Sequence, residues 1–340
     1  MEKLNYQNLV FEGGGIKGIA YGGALQELEE RDGLASVQRL AGTSAGAITA
    51  TLLAIGYPAS KVSELFACTN FKDFQDDSFG FFRDLWRLYK RFGFCRGNTF
   101  LKWISHHIAE QTGNPATTFA QLEALRRTRA EIRQLHVFAT NLSRQRTERY
   151  CAATTPTMEI RQAVRRSMCF PFVFQAVRTA DSDVVIDGGL AMNYPINAFD
   201  HQDFIVNPRN ADPVDYNPTP GYCFNHETLG FKLVENAPLY PPTEPSVNKS
   251  IHGIKDFTMG MVDFWLQAAQ RLHVHKKDWN RSVALDTNGV KVTEFDLPQA
   301  KIDTLLRNGR QGLVQFLKWR RSQPTELPLP GTHRHPSKKN

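Results

Sequence analysis

Short apolar runs alternate with helical patterns in the first part of the chain. Leu9-Val10-Phe11 leads into Gly13-Gly14-Gly15, and a helical pattern follows over residues 16–32. A second apolar run, Val37 to Ala41, leads into Ala45 to Ile55, whose small apolar residues are typical of a buried helix. Two successive strand–turn–helix units predict an α/β fold, a three-layer α/β/α sandwich around a mostly parallel sheet, with further helices at the C-terminal end.

The same patterns predict the later elements and the domain limits. Strands are predicted at His136–Thr140, Phe172–Val177, Val184–Ile186 and Phe204–Val206. Helices are predicted at Thr118–Arg127, where Thr118 and Gln121 form a capping box, and at Met158–Met168, Phe257–Leu272 and Ile302–Trp319. We predict a main domain over residues 8–207, an irregular excursion (207–250) and C-terminal helices packed on it over 208–322, and a basic, disordered tail over 323–340.

The composition is that of a globular protein, with 41% hydrophobic and 22% charged residues, but its charge is uneven. The net charge is +7, and residues 301–340 carry all of it, with nine Lys and Arg against Asp303 and Glu326. This asymmetry favours an anionic membrane surface or a nucleic acid as partner, although a basic tail that only aids solubility explains it equally well. No nucleic-acid-reading domain is recognisable, so nucleic acid is not expected.

The sequence gives no signal for export or for a membrane span. The N-terminus lacks the apolar stretch of a secretory signal, and the best candidate span, Ala45 to Tyr57, is shorter than the roughly 18 apolar residues required. Five cysteines without a CxxC pair predict reduced thiols that fill the core. We therefore expect a cytoplasmic protein, with peripheral membrane association.

The first glycine-rich turn predicts an anion site. Gly13 to Gly18 fits the dinucleotide pattern G-x-G-x-x-G, but Leu40-Ala41-Gly42 stands where that pattern expects an acid for the ribose. Unshielded backbone N–H groups at a helix N-terminus stabilise negative charge, and Lys17 adds a cation. An oxyanion is as suitable a guest as a phosphate.

The second turn predicts a nucleophile. Gly42-Thr43-Ser44-Ala45-Gly46 fits the G-x-S-x-G elbow between a strand and a helix, although Ser44 as a simple helix cap is the alternative. A serine hydroxyl needs a base, and the candidate is Asp187, which ends an apolar run and precedes Gly188-Gly189. An aspartate that only caps a turn is the alternative there. Ser44 lies too early in the chain for the usual α/β-hydrolase order.

These three motifs, in this order, resemble the patatin-like phospholipase family. Ser167 to Pro171 and the stretch from Asp187 to Pro195 are also similar to segments of that family, and the resemblance covers about residues 8–207. It implies a lipid acyl hydrolase, of the phospholipase A or lysophospholipase type, that works through an acyl-enzyme without metal or cofactor. The roles that it implies are nucleophile for Ser44, general base for Asp187, oxyanion hole for Gly13, Gly14 and Gly15, and supporting positions for Lys17 and Gly18.

A second hypothesis keeps this chemistry but assigns it to a membrane-targeting effector, a toxin or defence enzyme that stays inactive until a partner or ligand activates it. The aromatic and basic residues of 79–103 predict an amphipathic helix, either a lid that lies on anionic lipid or an ordinary helix packed on the sheet. His201 is interpreted as a structural or surface residue. His106-His107 and His273-x-His275 have no acidic or thiol neighbour at ligand spacing, so no metal site is expected.

Overall fold

The computed structural model describes residues 4–74, 92–214, 217–235, 251–253, 257, 260–261, 264–265 and 274–323. Three predictions lie mostly or wholly outside these residues. They are the amphipathic helix in the aromatic and basic segment 79–103, of which residues 79–91 are not described, the helix at Phe257–Leu272 and the disordered tail over residues 323–340.

The main sheet has eight strands in the described part of the chain, in the order β12-β11-β1-β2-β4-β8-β7, with β5 paired to β4. The five strands from β12 to β4 are mutually parallel, whereas β5 and β8 run antiparallel to β4, and β7 runs antiparallel to β8. The strands are β1 (Asn8–Phe11), β2 (Arg39–Thr43), β3 (Gly93–Cys95), β4 (Gln134–Asn141), β5 (Arg146–Tyr150), β6 (Phe172–Phe174), β7 (Val177–Arg178), β8 (Val184–Asp187), β9 (Ala211–Pro213), β10 (Cys223–Asn225), β11 (Thr228–Val234) and β12 (Ser282–Asp286). The mostly parallel sheet confirms the predicted α/β class.

Helices flank this sheet. The helices are α1 (Ala20–Glu30), α2 (Ala45–Ala54), α3 (Ala59–Cys68), α4 (Asn98–Thr112), α5 (Phe119–Arg126), α6 (Ile160–Ser167), α7 (Gly189–Met192) and α8 (Gln299–Ser322). The first predicted helix begins as a 3-10 turn, Gly15–Ile19, before α1. The predicted capping box of Thr118 and Gln121 is confirmed at the start of α5.

Both faces of the strands are buried, which explains why the first run is apolar at every position. Leu9 and Phe11 of β1 pack in the large core under the helices, together with α1, α2 and α8. Val10 faces the other way and packs with Phe138 and with the segment Tyr194–Phe199. A sheet covered on both sides places its functional residues at the ends of its strands.

Three element predictions are corrected by the structure. The predicted strand Phe204–Val206 is wrong, because Phe204 ends a 3-10 turn and its ring packs against Phe199, while Val206 is exposed. The predicted strand Phe172–Val177 is two strands, β6 and β7, that belong to different sheets.

The prediction that residues 207–250 are irregular is wrong at β9, β10 and β11. β11 lies beside β1 in the main sheet, with Leu229 opposite Leu9 and Phe231 opposite Phe11. Leu229, Phe231 and Leu233 alternate with Gly230 and Lys232, which is a strand pattern that the prediction overlooked, but nothing in this segment shows that its partner is β1.

All five cysteines are free, and four of them are buried. Among the described helices, none is both long enough and apolar enough to cross a bilayer.

Candidate active site

Ser44 lies at the turn where β2 ends and α2 begins. Its backbone angles are φ 51° and ψ −122°, a region that residues other than glycine rarely adopt. This strained turn holds a partly exposed serine at the N-terminus of a buried helix. The geometry is that of a nucleophile elbow, and strain of this kind is concentrated at functional sites.

The two glycines of the elbow are required by close contacts between backbones. A Cβ atom on Gly42 would lie 2.2 Å from the carbonyl oxygen of Gly46. A Cβ atom on Gly46 would lie 2.4 Å from the carbonyl oxygen of Phe11. Only glycine therefore lets α2 start so close to β1 and β2.

Asp187 is the last residue of β8, and strand pairing brings it to the edge of the sheet where Ser44 lies. Asp187 is paired with Ala139 of β4, and the preceding residue of β4, Phe138, is paired with Thr43, the neighbour of Ser44. The Asp187 side chain is buried, and its Oδ1 accepts the N–H of Gly189 at 2.7 Å. Its Oδ2 has no hydrogen-bond partner among the described residues.

Burial raises the pKa of Asp187 to about 6, while the hydroxyl of Ser44 and the N–H of Gly189 act in the opposite direction. The influence of Ser44 means that its hydroxyl lies near the carboxyl group, although Oδ2 makes no hydrogen bond of ordinary geometry. Catalytic hydrogen bonds are often poorly aligned before substrate binds. A carboxylate with this pKa is ionised at neutral pH and accepts a proton more readily than an ordinary aspartate.

Ser167, at the end of α6, and Cys169, two residues later, hold the backbones of Ser44 and Asp187 in place. The hydroxyl of Ser167 accepts the N–H of Ser44 at 2.8 Å and donates to the carbonyl of Phe138 at 2.5 Å. Two residues later, the carbonyl of Cys169 accepts the N–H of Asp187 at 3.0 Å. The sequence placed Ser167 in a family-like segment but gave it no role, since its partners are remote in the chain.

The glycine turn, Gly13 to Gly15, lies against the elbow, but its three N–H groups differ in their hydrogen bonds. The N–H of Gly13 donates to the carbonyl of Asn193 at 2.9 Å, so it is already used. Among the described residues, no hydrogen bond is donated by the N–H of Gly14 or Gly15. A Cβ atom on Gly13 would lie 3.3 Å from the Cβ of Ser44, which places the turn beside the nucleophile. Of the three glycine N–H groups, those of Gly14 and Gly15 are therefore left for another acceptor.

The two supporting positions also lie at this turn. The ammonium group of Lys17 forms an ion pair with Glu235 at 2.8 Å, so its charge is balanced inside the protein. Gly18 packs on the start of α2, because a Cβ atom there would lie 3.0 Å from the Cβ of Ala45. Lys17 is therefore a cation already held by a carboxylate, which the sequence did not predict.

Comparison with known proteins identifies the family. The model of the patatin-like phospholipase family matches residues 9–200, more than half of the chain, and the matched region contains both Ser44 and Asp187. The chain belongs to the patatin-like phospholipase family. An uncharacterized protein of Acanthamoeba polyphaga mimivirus is 33% identical over 195 residues, which cover 57% of this chain and 61% of that protein. YqhO of Bacillus subtilis is 26% identical over 323 residues, 92% of this chain and 98% of its own.

Two solved structures have a similar fold. VipD of Legionella pneumophila matches with a TM-score of 0.57 and 20% identity over 93% of this chain and 67% of VipD. The type III effector protein ExoU, of Pseudomonas aeruginosa, matches with a TM-score of 0.51 and 18% identity over 95% of this chain. This chain spans 54% of the ExoU chain, so about half of that protein has no counterpart here.

A recess of about 390 Å³ lies on the β4–β8 side of this patatin-like sheet. Val184 and Ile186 of β8 line it next to Leu142, which follows β4, and Phe172 and Phe92 complete its apolar wall. Because β8 runs antiparallel to β4, Val184 and Leu142 lie beyond Asp187 at the same edge of the sheet as Ser44. Phe92, Leu142 and Phe172 are also exposed.

The histidines lie apart from this dyad. His201 pairs with Asp203 at 3.1 Å and faces the carbonyl of Pro220 at 3.0 Å, neither of which belongs to the motifs. The expectation that His106-His107 lacks an acidic neighbour is wrong, because Glu110 lies one helical turn later. The three possible ligand atoms lie within 4.8 Å of one another, and His106 and Glu110 are exposed. His273 lies outside the described residues.

Proposed function

We propose that this protein is a lipid acyl hydrolase that cleaves carboxylic esters of phospholipids or lysophospholipids with a Ser44–Asp187 dyad. The observation that carries the proposal is the unpartnered Oδ2 of a buried Asp187 next to the elbow of Ser44. Membership of the patatin-like phospholipase family supports the substrate class. Dyad, mechanism and substrate are each open to the experiments below.

The chemistry starts with proton transfer to Asp187. Oγ of Ser44 attacks the ester carbonyl carbon, its proton moves to Asp187, and the carbonyl electron pair moves to oxygen. Collapse of this intermediate expels the alcohol, which takes the proton from Asp187. Water then attacks the acyl-enzyme and gives a proton to Asp187. Collapse of this second intermediate breaks the bond to Oγ of Ser44, which takes the proton back from Asp187, and the fatty acid is released.

The negative oxygen of each intermediate needs donors that are already in place. The N–H groups of Gly14 and Gly15 suit this role, because these residues directly follow Gly13, which lies beside Ser44, and their N–H groups have no other partner among the described residues. Gly13 does not, since its N–H is donated to Asn193. Removing one such donor in other enzymes costs about 100- to 1000-fold in rate, so these two amides carry much of the expected acceleration.

The apolar recess supports a lipid substrate. Neither Ser44 nor Asp187 lines the recess, but Ile186, which does, directly precedes Asp187 in β8, and the rings of Phe172 and Phe92 in its wall are exposed. Pockets for apolar ligands are lined in this way, with few polar groups. The recess holds the chain, and the dyad acts on its ester.

The decisive test uses purified protein and vesicles of mixed phospholipids, with the products identified by mass spectrometry. The proposal predicts release of free fatty acid and lysophospholipid. Absence of acyl release from every phospholipid and lysophospholipid class offered would contradict it. The same readout assigns the position of the cleaved ester and the head-group preference.

The rate should depend on pH through Asp187. The base must be ionised to accept a proton, and burial raises its pKa to about 6. With a soluble short-chain ester, kcat/KM should be at its plateau above pH 7, fall to half near pH 6 and then drop about tenfold per pH unit. A profile that stays flat down to pH 5 would exclude Asp187 as the base.

Structure limits the basic surface that the C-terminal charge provides. Lys301 of α8 pairs with Glu294, Arg310 pairs with Glu27 and Glu30, and Arg320 is buried. Part of the excess charge is therefore used inside the protein. An anionic membrane surface remains a proposed partner, and it depends on the charges that α8 leaves exposed and on the tail.

Removal of residues 323–340 should weaken binding to anionic vesicles without changing turnover of a soluble ester. The segment carries Arg334, Lys338 and Lys339 against Glu326 and contains no motif residue. At about 1 kcal/mol per charge near an anionic leaflet, the loss should be modest and salt-sensitive. Vesicle co-sedimentation at low and high salt measures it, with esterase rates on the same preparations. A lower esterase rate would make the tail structural or activating, and no change in either would make it a solubility tail.

The regulated-effector hypothesis keeps this chemistry and adds an activating partner. ExoU is described as a type III effector, and one of its structures is a complex with SpcU. At 20% identity or less, the likeness shows the fold alone, so an activator stays a prediction. Acyl-release assays with and without candidate activators test it.

A further inference from the structure

Glu12, the residue before the glycine turn, is a buried acid whose two carboxylate oxygens are held by β11. Its side chain is 2% exposed. Lys232 donates to Oε1 at 2.9 Å, and the backbone N–H of Leu233 donates to Oε2 at 2.6 Å. A buried carboxylate is stable only when it is paired in this way, so the position of Glu12 is fixed by β11.

Asn193 connects this ion pair to the glycine turn. Its amide Nδ2 lies 3.4 Å from Oε1 of Glu12 and donates to the carbonyl of Gly13 at 3.1 Å. The backbone carbonyl of Asn193 accepts the N–H of Gly13 at 2.9 Å. Asn193 therefore binds both the N–H and the C=O of Gly13, and Glu12 orients the side-chain amide of Asn193.

The hydrogen bonds between Asn193 and Gly13 determine the direction of the N–H of Gly14. In a trans peptide the C=O of one residue and the N–H of the following residue point in opposite directions. Because Asn193 binds the carbonyl of Gly13, the N–H of Gly14 is turned away from Asn193 and left for another acceptor. The N–H of Gly14 is one of the two groups, with that of Gly15, that the proposed mechanism uses to bind the oxyanion.

β11 also closes over the back of the turn. A Cβ atom on Gly14 would lie 2.2 Å from Cδ1 of Leu233, so Leu233 packs directly against Gly14. Both Lys232 and Leu233 lie outside residues 9–200, the region that the family model matches. The residues that pack on the glycine turn from the side of β11, Lys232 and Leu233, therefore come from the C-terminal part of the chain, which the family model does not match.

We propose that Glu12 and Lys232 are positioning residues that act through Asn193 to aim the N–H of Gly14 at the developing oxyanion. The inference rests on the proposed hydrolase function. It predicts that loss of the pair lowers kcat with little change in KM, because the oxyanion exists only after attack. The pH dependence set by Asp187 should stay unchanged.

The test compares Glu12→Gln, Lys232→Met, the double variant and Lys232→Arg on a soluble p-nitrophenyl ester. We expect kcat to fall about 10- to 100-fold in the first three and to be largely retained in Lys232→Arg. The double variant should be no slower than the single variants, because each of the three changes removes the same Glu12–Lys232 ion pair. It removes both charges of the Glu12–Lys232 pair, so it should fold even where Lys232→Met does not.

A thionoester separates a loss of positioning from general damage. An oxyanion hole favours oxygen over the larger, weaker hydrogen-bond acceptor sulfur, so the wild type should prefer the ester to its thionoester strongly. In the double variant this preference should shrink by about the same factor as kcat. The matched control is Lys277→Met, which breaks the Lys277–Asp212 ion pair away from the motifs and should leave both values unchanged.

Two failures are distinguishable. If Ser44→Ala retains the wild-type rate, the proposed function fails. If Ser44→Ala is inactive but the double variant keeps the wild-type kcat and ester preference, the function stands and the positioning role of Glu12 and Lys232 is overturned. A fall in kcat with an unchanged ester preference, or with a shifted pH profile, also overturns it, because the damage then lies outside the oxyanion hole.

Discussion

Ser44→Ala should lower fatty-acid release from phospholipid vesicles by at least about 1000-fold. The variant lacks the only atom that can form the acyl-enzyme, so only the oxyanion donors and substrate binding remain to accelerate hydrolysis. The fold should persist, because alanine tolerates the backbone of the elbow as serine does and the N–H bond to Ser167 is kept. Mass spectrometry of released acids measures the effect, and circular dichroism checks the fold.

Ser63→Ala is the matched control for this change. Ser63 is a buried serine of α3, and it belongs to no motif. Its replacement removes a hydroxyl of the same kind and should leave acyl release unchanged. If Ser44→Ala keeps more than a few per cent of the wild-type rate, Ser44 has no place in the mechanism.

Asp187→Asn should lower kcat about 100- to 10,000-fold, because the amide keeps the shape of the carboxylate but cannot take the proton of Ser44. A serine-reactive fluorophosphonate should label the variant more slowly than the wild type by a similar factor, since labelling needs the same activated hydroxyl. Asp183→Asn, which removes another carboxylate next to the start of β8, is the control and should label normally. Equal labelling of Asp187→Asn and the wild type would assign the base to another group.

The same variant should not lose stability at neutral pH. The folded-state pKa of Asp187, about 6, lies above the ordinary 3.8, so its contribution to stability is fully present below pH 3.8 and is lost as pH rises through 6. Above pH 7 the buried charge costs up to about 3 kcal/mol, which the amide avoids. Thermal unfolding at pH 7.5 should give the variant a midpoint equal to or above that of the wild type, so its inactivity cannot be attributed to unfolding.

The sequence by itself determined the fold class and predicted the two residues of the proposed dyad. The elbow around Ser44 and the run that ends at Asp187 are readable because each combines a buried strand with glycines that a close backbone approach requires. Such requirements act over a few residues and leave a local pattern. The α/β class followed for the same reason, since two strand–turn–helix units stand in succession near the N-terminus.

Tertiary structure alone decided how the site is held. Nothing local shows that Ser167 binds the backbone of Ser44, that Asn193 takes the N–H of Gly13, or that Lys232 pairs with Glu12. β11 was hidden because its register beside β1 depends on a partner more than two hundred residues away. Pairing over such distances is selected by the packing of the whole sheet and not by the pattern of any one segment. The glycines were therefore predictable from the sequence, and the residues that contact their backbone were not.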